Sequence, residues 1–183
     1  DKLDMGDDEF YERLIHGPFH PSTSIPTPKD FADVYNKLAK ETEEIISIHI
    51  TSRESGTYNA ALLARELVES NKCRIEVVDS LSMSMALGLL VAEAGRQAKA
   101  GASLEKVAES VRQAIPKVHL IFLLDTLKYV VRGGRVGKGY GLLGSVLRVK
   151  PLLTMRDGKL VLAGVARTRT TAIKRLYDFV EDF

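Results

Sequence analysis

Two periods of apolar spacing alternate along this 183-residue chain, and together they predict its elements. Ile45-Ile46-Ser47-Ile48-His49-Ile50 is rich in β-branched residues and apolar on both faces, so it reads as a central strand of a parallel sheet buried between layers. A polar loop from Thr51 to Tyr58 follows. Beyond it Ala60, Ala61, Leu63, Ala64, Leu67 and Val68 recur at helical spacing and form one stripe that can pack back on the sheet. Upstream, Asp7 to His16 reads as a short helix with Phe10, Tyr11 and Leu14 inward and three acidic residues at its positive end. Thr27-Pro28 pairs an N-cap with proline at the first helical position, opening a helix to about Lys40 with Phe31, Val34, Tyr35, Leu38 and Ala39 inward. Downstream, Arg74 to Val78 is a second strand. Ser82 to Ala100 is a largely apolar helix stopped by Gly101, and Ser103 to Ile115 is a helix ended by Pro116, with Leu104, Val107, Ala108, Val111 and Ile115 on one face.

The pattern changes after Pro116. Val118 to Leu124 is a third strand, Asp125 and Thr126 open a helical turn through Val131, and Gly133-Gly134 breaks it. A helix is predicted from Leu142 to Leu147. Val149 to Met155 and Leu160 to Val165 are strands joined at Arg156-Asp157-Gly158-Lys159, and Asp-Gly between apolar runs predicts a type I′ hairpin. Thr170 to Phe183 closes as a helix with Ile173, Leu176, Tyr177 and Val180 inward. Alternating β and α followed by a hairpin predicts an α/β fold in two domains, residues 1–116 with a mostly parallel sheet and 117–183 with an antiparallel hairpin. The absence of an initiator Met and the amphipathic pattern still running at Phe183 point to a piece of something longer.

The loops carry the candidate chemistry. Open α/β sheets bind ligands outside the carboxyl ends of their strands, where helix N-termini offer unpaired N–H groups. Ser55-Gly56-Thr57 falls there: two hydroxyls can donate to an anion, phosphate or carboxylate, and Gly56 admits close backbone approach, although Ser55 or Thr57 also fits as a simple helix cap. Residues 17–28 hold four prolines and four hydroxyls, so this stretch is an irregular linker or a rigid loop presenting Thr23 and Ser24. Asp79 at the end of the second strand reads as a cap for the next helix. From Arg132 to Gly144 the glycines lack the spacing of GxxxxGK[ST] and do not follow a strand into a helix as GxGxxG does, which rejects both nucleotide motifs.

Composition narrows the classes. With 45% hydrophobic residues the chain can bury a core, and no apolar run approaches the roughly 20 residues of a membrane span, so a cytoplasmic protein without stable membrane insertion is expected. Cys73 has no second cysteine to pair with, and His16, His20, His49 and His119 show no metal-ligand spacing, so no metal is expected. The net charge of +2 is unevenly spread: residues 1–66 hold thirteen acids against seven Lys and Arg, whereas 125–175 hold twelve Lys and Arg against two Asp. The basic back of the chain is either a solvated face or a surface for an acidic partner. No Ser-His-Asp order, paired acids or activated cysteine argues for catalysis.

Ser22-Thr23-Ser24-Ile25-Pro26, Ser55-Gly56-Thr57-Tyr58-Asn59-Ala60-Ala61, Val77-Val78-Asp79-Ser80, Tyr129-Val130-Val131-Arg132-Gly133-Gly134-Arg135, Lys150-Pro151-Leu152-Leu153 and Arg167-Thr168-Arg169, in this order and spacing, resemble the DegV family of bacterial fatty-acid-binding proteins. The resemblance implies two α/β domains and a long-chain fatty acid as ligand, with no other cofactor. It implies that Thr23, Ser24, Ser55, Gly56 and Thr57 hold the fatty-acid carboxylate, and that Arg167 and Arg169 lie near the head group or on a face that docks a fatty acid kinase. Such a protein is a carrier feeding phospholipid synthesis, not an enzyme, and the family also has strands before and after the stretch present here. Two other readings compete. One is a phosphotransferase-like enzyme using the same loop for phosphate. The other is a regulatory or nucleic-acid module using the basic stretch, which lacks the aromatic interleaving of single-strand binders, so no nucleic-acid partner is expected.

Overall fold

The computed structural model describes residues 4–69, 72–136 and 149–181. Its elements run α1 Asp7–His16, α2 Pro28–Leu38, β1 Glu44–His49, α3 Thr57–Ala64, β2 Arg74–Asp79, α4 Ser84–Lys99 and α5 Leu104–Ala114. They continue with β3 Ile121–Leu123, α6 Lys128–Arg132, β4 Lys150–Arg156, β5 Lys159–Ala166 and α7 Arg169–Glu181. The α/β class is as the sequence predicts: β1 and β2 pair in parallel, and β3, β4 and β5 form an antiparallel sheet in that order.

The apolar run of β1 feeds two layers. On one side Ile45 packs with Ala32 and Tyr35 of α2 and Ala64 of α3; on the other, Ile46 and Ile48 lie against Leu90 and Ala94 of α4 and Val107 and Val111 of α5. Successive strand side chains point to opposite faces, so one run serves both. Among the described residues β1 pairs with β2 alone, which corrects the central-strand reading. Apolarity on both faces reports helix layers on both sides and says nothing of how many strands flank the run. The second sheet is also covered twice, with Leu153 facing Leu127 and Val136 while Leu152 faces Ala166 and Ala172 of α7.

Local signals set the boundaries. Thr27 caps α2 by accepting from Asp30 N at 3.2 Å while Asp30 Oδ2 accepts from Thr27 N at 2.7 Å, a reciprocal box worth about 1 kcal/mol. Gly101 adopts φ +84° just past α4, and Asp157 and Gly158 adopt φ +51° and +77°, the left-handed pair that a type I′ turn requires. Several inward positions are corrected: Val34, Ile173, Tyr177 and Val180 are exposed, and α1 buries no residue. Periodicity locates an apolar face without telling whether anything covers it. The third strand is shorter than predicted, and the helix read at 142–147 lies outside the described residues.

Candidate functional site

The loop leaving β1 is fixed from below by the end of β2. Thr51 is fully buried, and its N–H donates to the Ser82 carbonyl at 2.9 Å. Ser52 N–H donates to the Asp79 carboxylate at 3.2 and 3.3 Å, and Leu81 N–H donates to Asp79 Oδ1 at 3.0 Å. Asp79 therefore ties the two strand ends together and does not cap α4, whose N-cap is Met83 without a side-chain bond. The cap rule is local; here two loop amides on different strands compete for the same carboxylate and win. Leu81 and Ser84 sit at φ +49° and +53°, so the β2–α4 connection carries backbone strain of about 1–3 kcal/mol per residue.

At the head of the loop Ser55 Oγ and Thr57 Oγ1 are 2.8 Å apart, and Thr57 N–H donates to Ser55 Oγ at 3.3 Å. Either hydroxyl can be the donor in that pair; in the arrangement where Thr57 gives both its N–H and its hydroxyl proton to Ser55 Oγ, the Ser55 proton is left to be given outward. Gly56 is the N-cap of the eight-residue α3, so the loop hydroxyls stand at the positive end of a helix. The capping alternative is met only in part, through the short Ser55–Thr57 bond.

The proline-rich stretch is an ordered loop laid over this turn. The tip of Ile25 rests over the turn at Gly56, where a Cβ would lie 2.9 Å from Ile25 Cδ1. The His20 and Tyr129 rings stack at 6.2 Å and 11°, and Thr23 Oγ1 accepts from Arg135 Nη2 at 3.4 Å. Accepting from Arg135 leaves the Thr23 proton free to donate. Thr23 and Ser24 are exposed, and the Ile25–Gly56 contact joins their loop to Ser55, Gly56 and Thr57.

Arg167 and Arg169 are placed elsewhere, at the junction of β5 and α7. Arg169 Nη1 lies 3.5 Å from Asp125 Oδ1, which also accepts from Lys150 at 2.7 Å, and these partners, Lys150 first, hold the Asp125 carboxyl below its usual range. Arg135 reaches a predicted site hydroxyl; it closes the 129–135 motif of the family resemblance and lies in the basic glycine-rich stretch, but neither gave it a role at the site. A second feature had no sequence signal. Tyr35 OH donates to Ser47 Oγ at 2.7 Å, Ser47 Oγ lies 2.7 Å from His49 Nε2, and the Phe31 ring meets the imidazole edge-on at 5.0 Å. Burial pushes the His49 pKa down. Among the described residues no cluster of His, Cys, Asp and Glu could hold a metal ion, and no helix is long and apolar enough to cross a membrane.

The fold is α/β, and its two hydroxyl-bearing loops approach each other at a helix N-terminus, where an anionic group could be received beside the sheet. The DegV family model, described as an uncharacterised protein of that family, matches residues 1–183, and the chain belongs to the DegV family. It is 37% identical over 182 residues to a DegV domain-containing protein of Caldanaerobacter subterraneus and 33% identical over 183 residues to one of Staphylococcus aureus. In both cases all of this chain is covered and it spans 64% of the relative's length. The structure of a fatty-acid-binding DegV family protein from Thermus thermophilus superposes with a TM-score of 0.86 at 32% identity, over 96% of this chain and 61% of that one. DegV of Bacillus subtilis, a fatty-acid-binding protein, does so at 0.82 and 30% identity, over 96% and 62%.

Proposed function

We propose that this chain binds a long-chain fatty acid as a carrier, with the carboxylate held by Thr23, Ser24, Ser55, Gly56 and Thr57. The observation that carries the reading is the seating of Ile25 on Gly56, which unites the two hydroxyl loops at the N-terminus of α3. A carboxylate leaving water loses solvation worth several kcal/mol, and charge-assisted bonds from hydroxyls and helix amides offset much of that loss. Arg135 adds a positive charge beside Thr23. Each tail methylene buried contributes about 0.8 kcal/mol, so affinity needs no catalytic apparatus. The fatty-acid-binding relatives support the same ligand.

In the same reading the carrier presents its ligand to a fatty acid kinase, and the basic β5–α7 junction with Arg167 and Arg169 is the docking face. The protein is cytoplasmic, divided near residue 117 into a head-group-binding part and a second part bearing the hairpin. The test is native mass spectrometry of the purified protein and of Thr23→Ala/Ser55→Ala, with oleate affinity by calorimetry. Removing two bonds to a charged group should weaken oleate binding about 100-fold while the melting temperature holds. A protein that carries no fatty acid and ignores added oleate would overturn the proposal.

A further inference from the structure

The turn between β4 and β5 does more than close a hairpin. Gly158 is buried although it lies at a turn tip, because the tip is inserted against the loop that leads to Ser55. Thr51 Oγ1 donates to the Gly158 carbonyl at 2.8 Å, and Leu160 N–H donates to Glu54 Oε1 at 2.9 Å. A Cβ on Gly158 would stand 2.7 Å from Thr51 Oγ1 and 2.9 Å from Arg53 Cγ, so the fit leaves no room for a side chain. Among the described residues β5 is an edge strand of its sheet, and Glu54 covers an N–H of that edge.

The bonds converge on a short segment. Glu54 N–H and Ser55 N–H both return to the Thr51 carbonyl, at 3.3 and 3.2 Å, so residues 51–55 form one closed turn whose first member holds Gly158 and whose fourth holds Leu160. The next residue in chain order after Glu54 is Ser55. From this juxtaposition, and resting on the fatty-acid reading of Ser55, we infer that Glu54 is a positioning residue: through its bond to the hairpin it sets Ser55-Gly56-Thr57 in register to receive the carboxylate. The antiparallel sheet thereby controls the head-group loop of the parallel one, and the hairpin's docked state and the ligand's affinity are coupled. Neither Glu54 nor Gly158 touches the ligand in this scheme.

The acceptor role and the charge of Glu54 can be separated, because Glu54→Gln keeps the Oε1 acceptor that Leu160 N–H uses and Glu54→Ala removes it. Oleate binding by calorimetry, thermal unfolding and amide exchange of residues 51–57 would be measured on the whole protein for these two variants and for Ser55→Ala. The expected result is about a tenfold loss of oleate affinity in Glu54→Ala, recovery to within about twofold in Glu54→Gln, and faster exchange confined to 51–57 in the alanine variant. Wild-type affinity in Glu54→Ala beside lost affinity in Ser55→Ala overturns the coupling and leaves the carboxylate site standing. Unchanged affinity in Ser55→Ala overturns the site itself. A general loss of protection with a lowered melting temperature that Glu54→Gln does not restore overturns the positioning role, since Glu54 would then be a plain stability contact. Should Glu54→Ala fail to fold, Gly158→Ala applies the same test from the hairpin side, with reduced oleate affinity expected and wild-type affinity overturning the inference.

Discussion

His49 illustrates how one side chain on β1 reports the state of its layer. Tyr35 donates to Ser47 Oγ, which lies 2.7 Å from His49 Nε2, so the imidazole ends a short polar chain inside the layer. The Phe31 edge and the surrounding burial leave the cation poorly solvated and lower its pKa from the ordinary value of about 6.5. A depressed histidine pKa means that the unfolded chain binds the proton more readily than the folded one between the two values. Stability is therefore greatest above about pH 6.5 and falls as the pH drops through that value toward the folded pKa, below which the loss levels off. Urea midpoints measured between about pH 7.5 and 5 should show this decline, and His49→Gln, which keeps a polar group facing Ser47, should flatten it. An identical decline in the variant would assign it to other groups. At this scale the sequence was readable wherever the rule is local: Thr27-Pro28 capped, Asp157-Gly158 turned, and Ser55-Gly56-Thr57 opened a helix. It gave Arg135 a place in a motif but no role, and it misled on Asp79, because both take partners far along the chain that no spacing encodes.

Among elements, α4 and α5 show what amphipathic spacing does and does not decide. α5 buries Leu104, Val107, Ala108 and Val111, the face its periodicity marks. α4 is apolar around most of its circumference, yet only Ala86, Leu90 and Ala94 are buried while Met85 and Leu89 are exposed. The small residues at the contact let the two helices approach, and Gln97 Nε2 bridges them by donating to Ser110 Oγ at 2.6 Å. Leu90, 1% exposed and packed with Val78, Val107 and Val111, is the keystone of that layer. Truncating it opens a cavity among side chains held by the sheet behind them, so Leu90→Ala should cost about 2–5 kcal/mol in denaturant unfolding. Met85→Ala on the same helix should stay within about 0.5 kcal/mol. Equal losses from the two would mean that the layer is packed otherwise. The same reasoning explains why α1 and α7 were read correctly as helices and wrongly as buried: their apolar faces are real, but among the described residues α1 buries nothing and α7 only Ala172.

For the whole molecule the governing feature is the separation of charge along the chain, acidic before residue 67 and basic from 125 to 175. The antiparallel sheet and α7 carry six of the twelve Lys and Arg of that stretch, and Arg167 just past β5 is exposed. Exposed charges of this kind contribute little to stability but steer association, raising the rate at which an oppositely charged partner arrives. If the kinase docks here, the association rate of protein and kinase should fall about tenfold or more between about 50 and 300 mM salt, because the screening length shrinks below the distance over which the patch acts. Arg167→Glu should lower the rate at low salt and blunt its salt dependence, since it cancels one positive charge and adds a negative one on the same face. Arg169 is a poorer choice for this test, because it is also paired with Asp125 and its loss would disturb the start of α7. Stopped-flow mixing of the loaded protein with kinase measures the rate, and oleate calorimetry on the same variant should read as wild type. A rate indifferent to salt and to Arg167→Glu would move the docking face away from this junction while leaving the proposed carboxylate loops at the other sheet untouched.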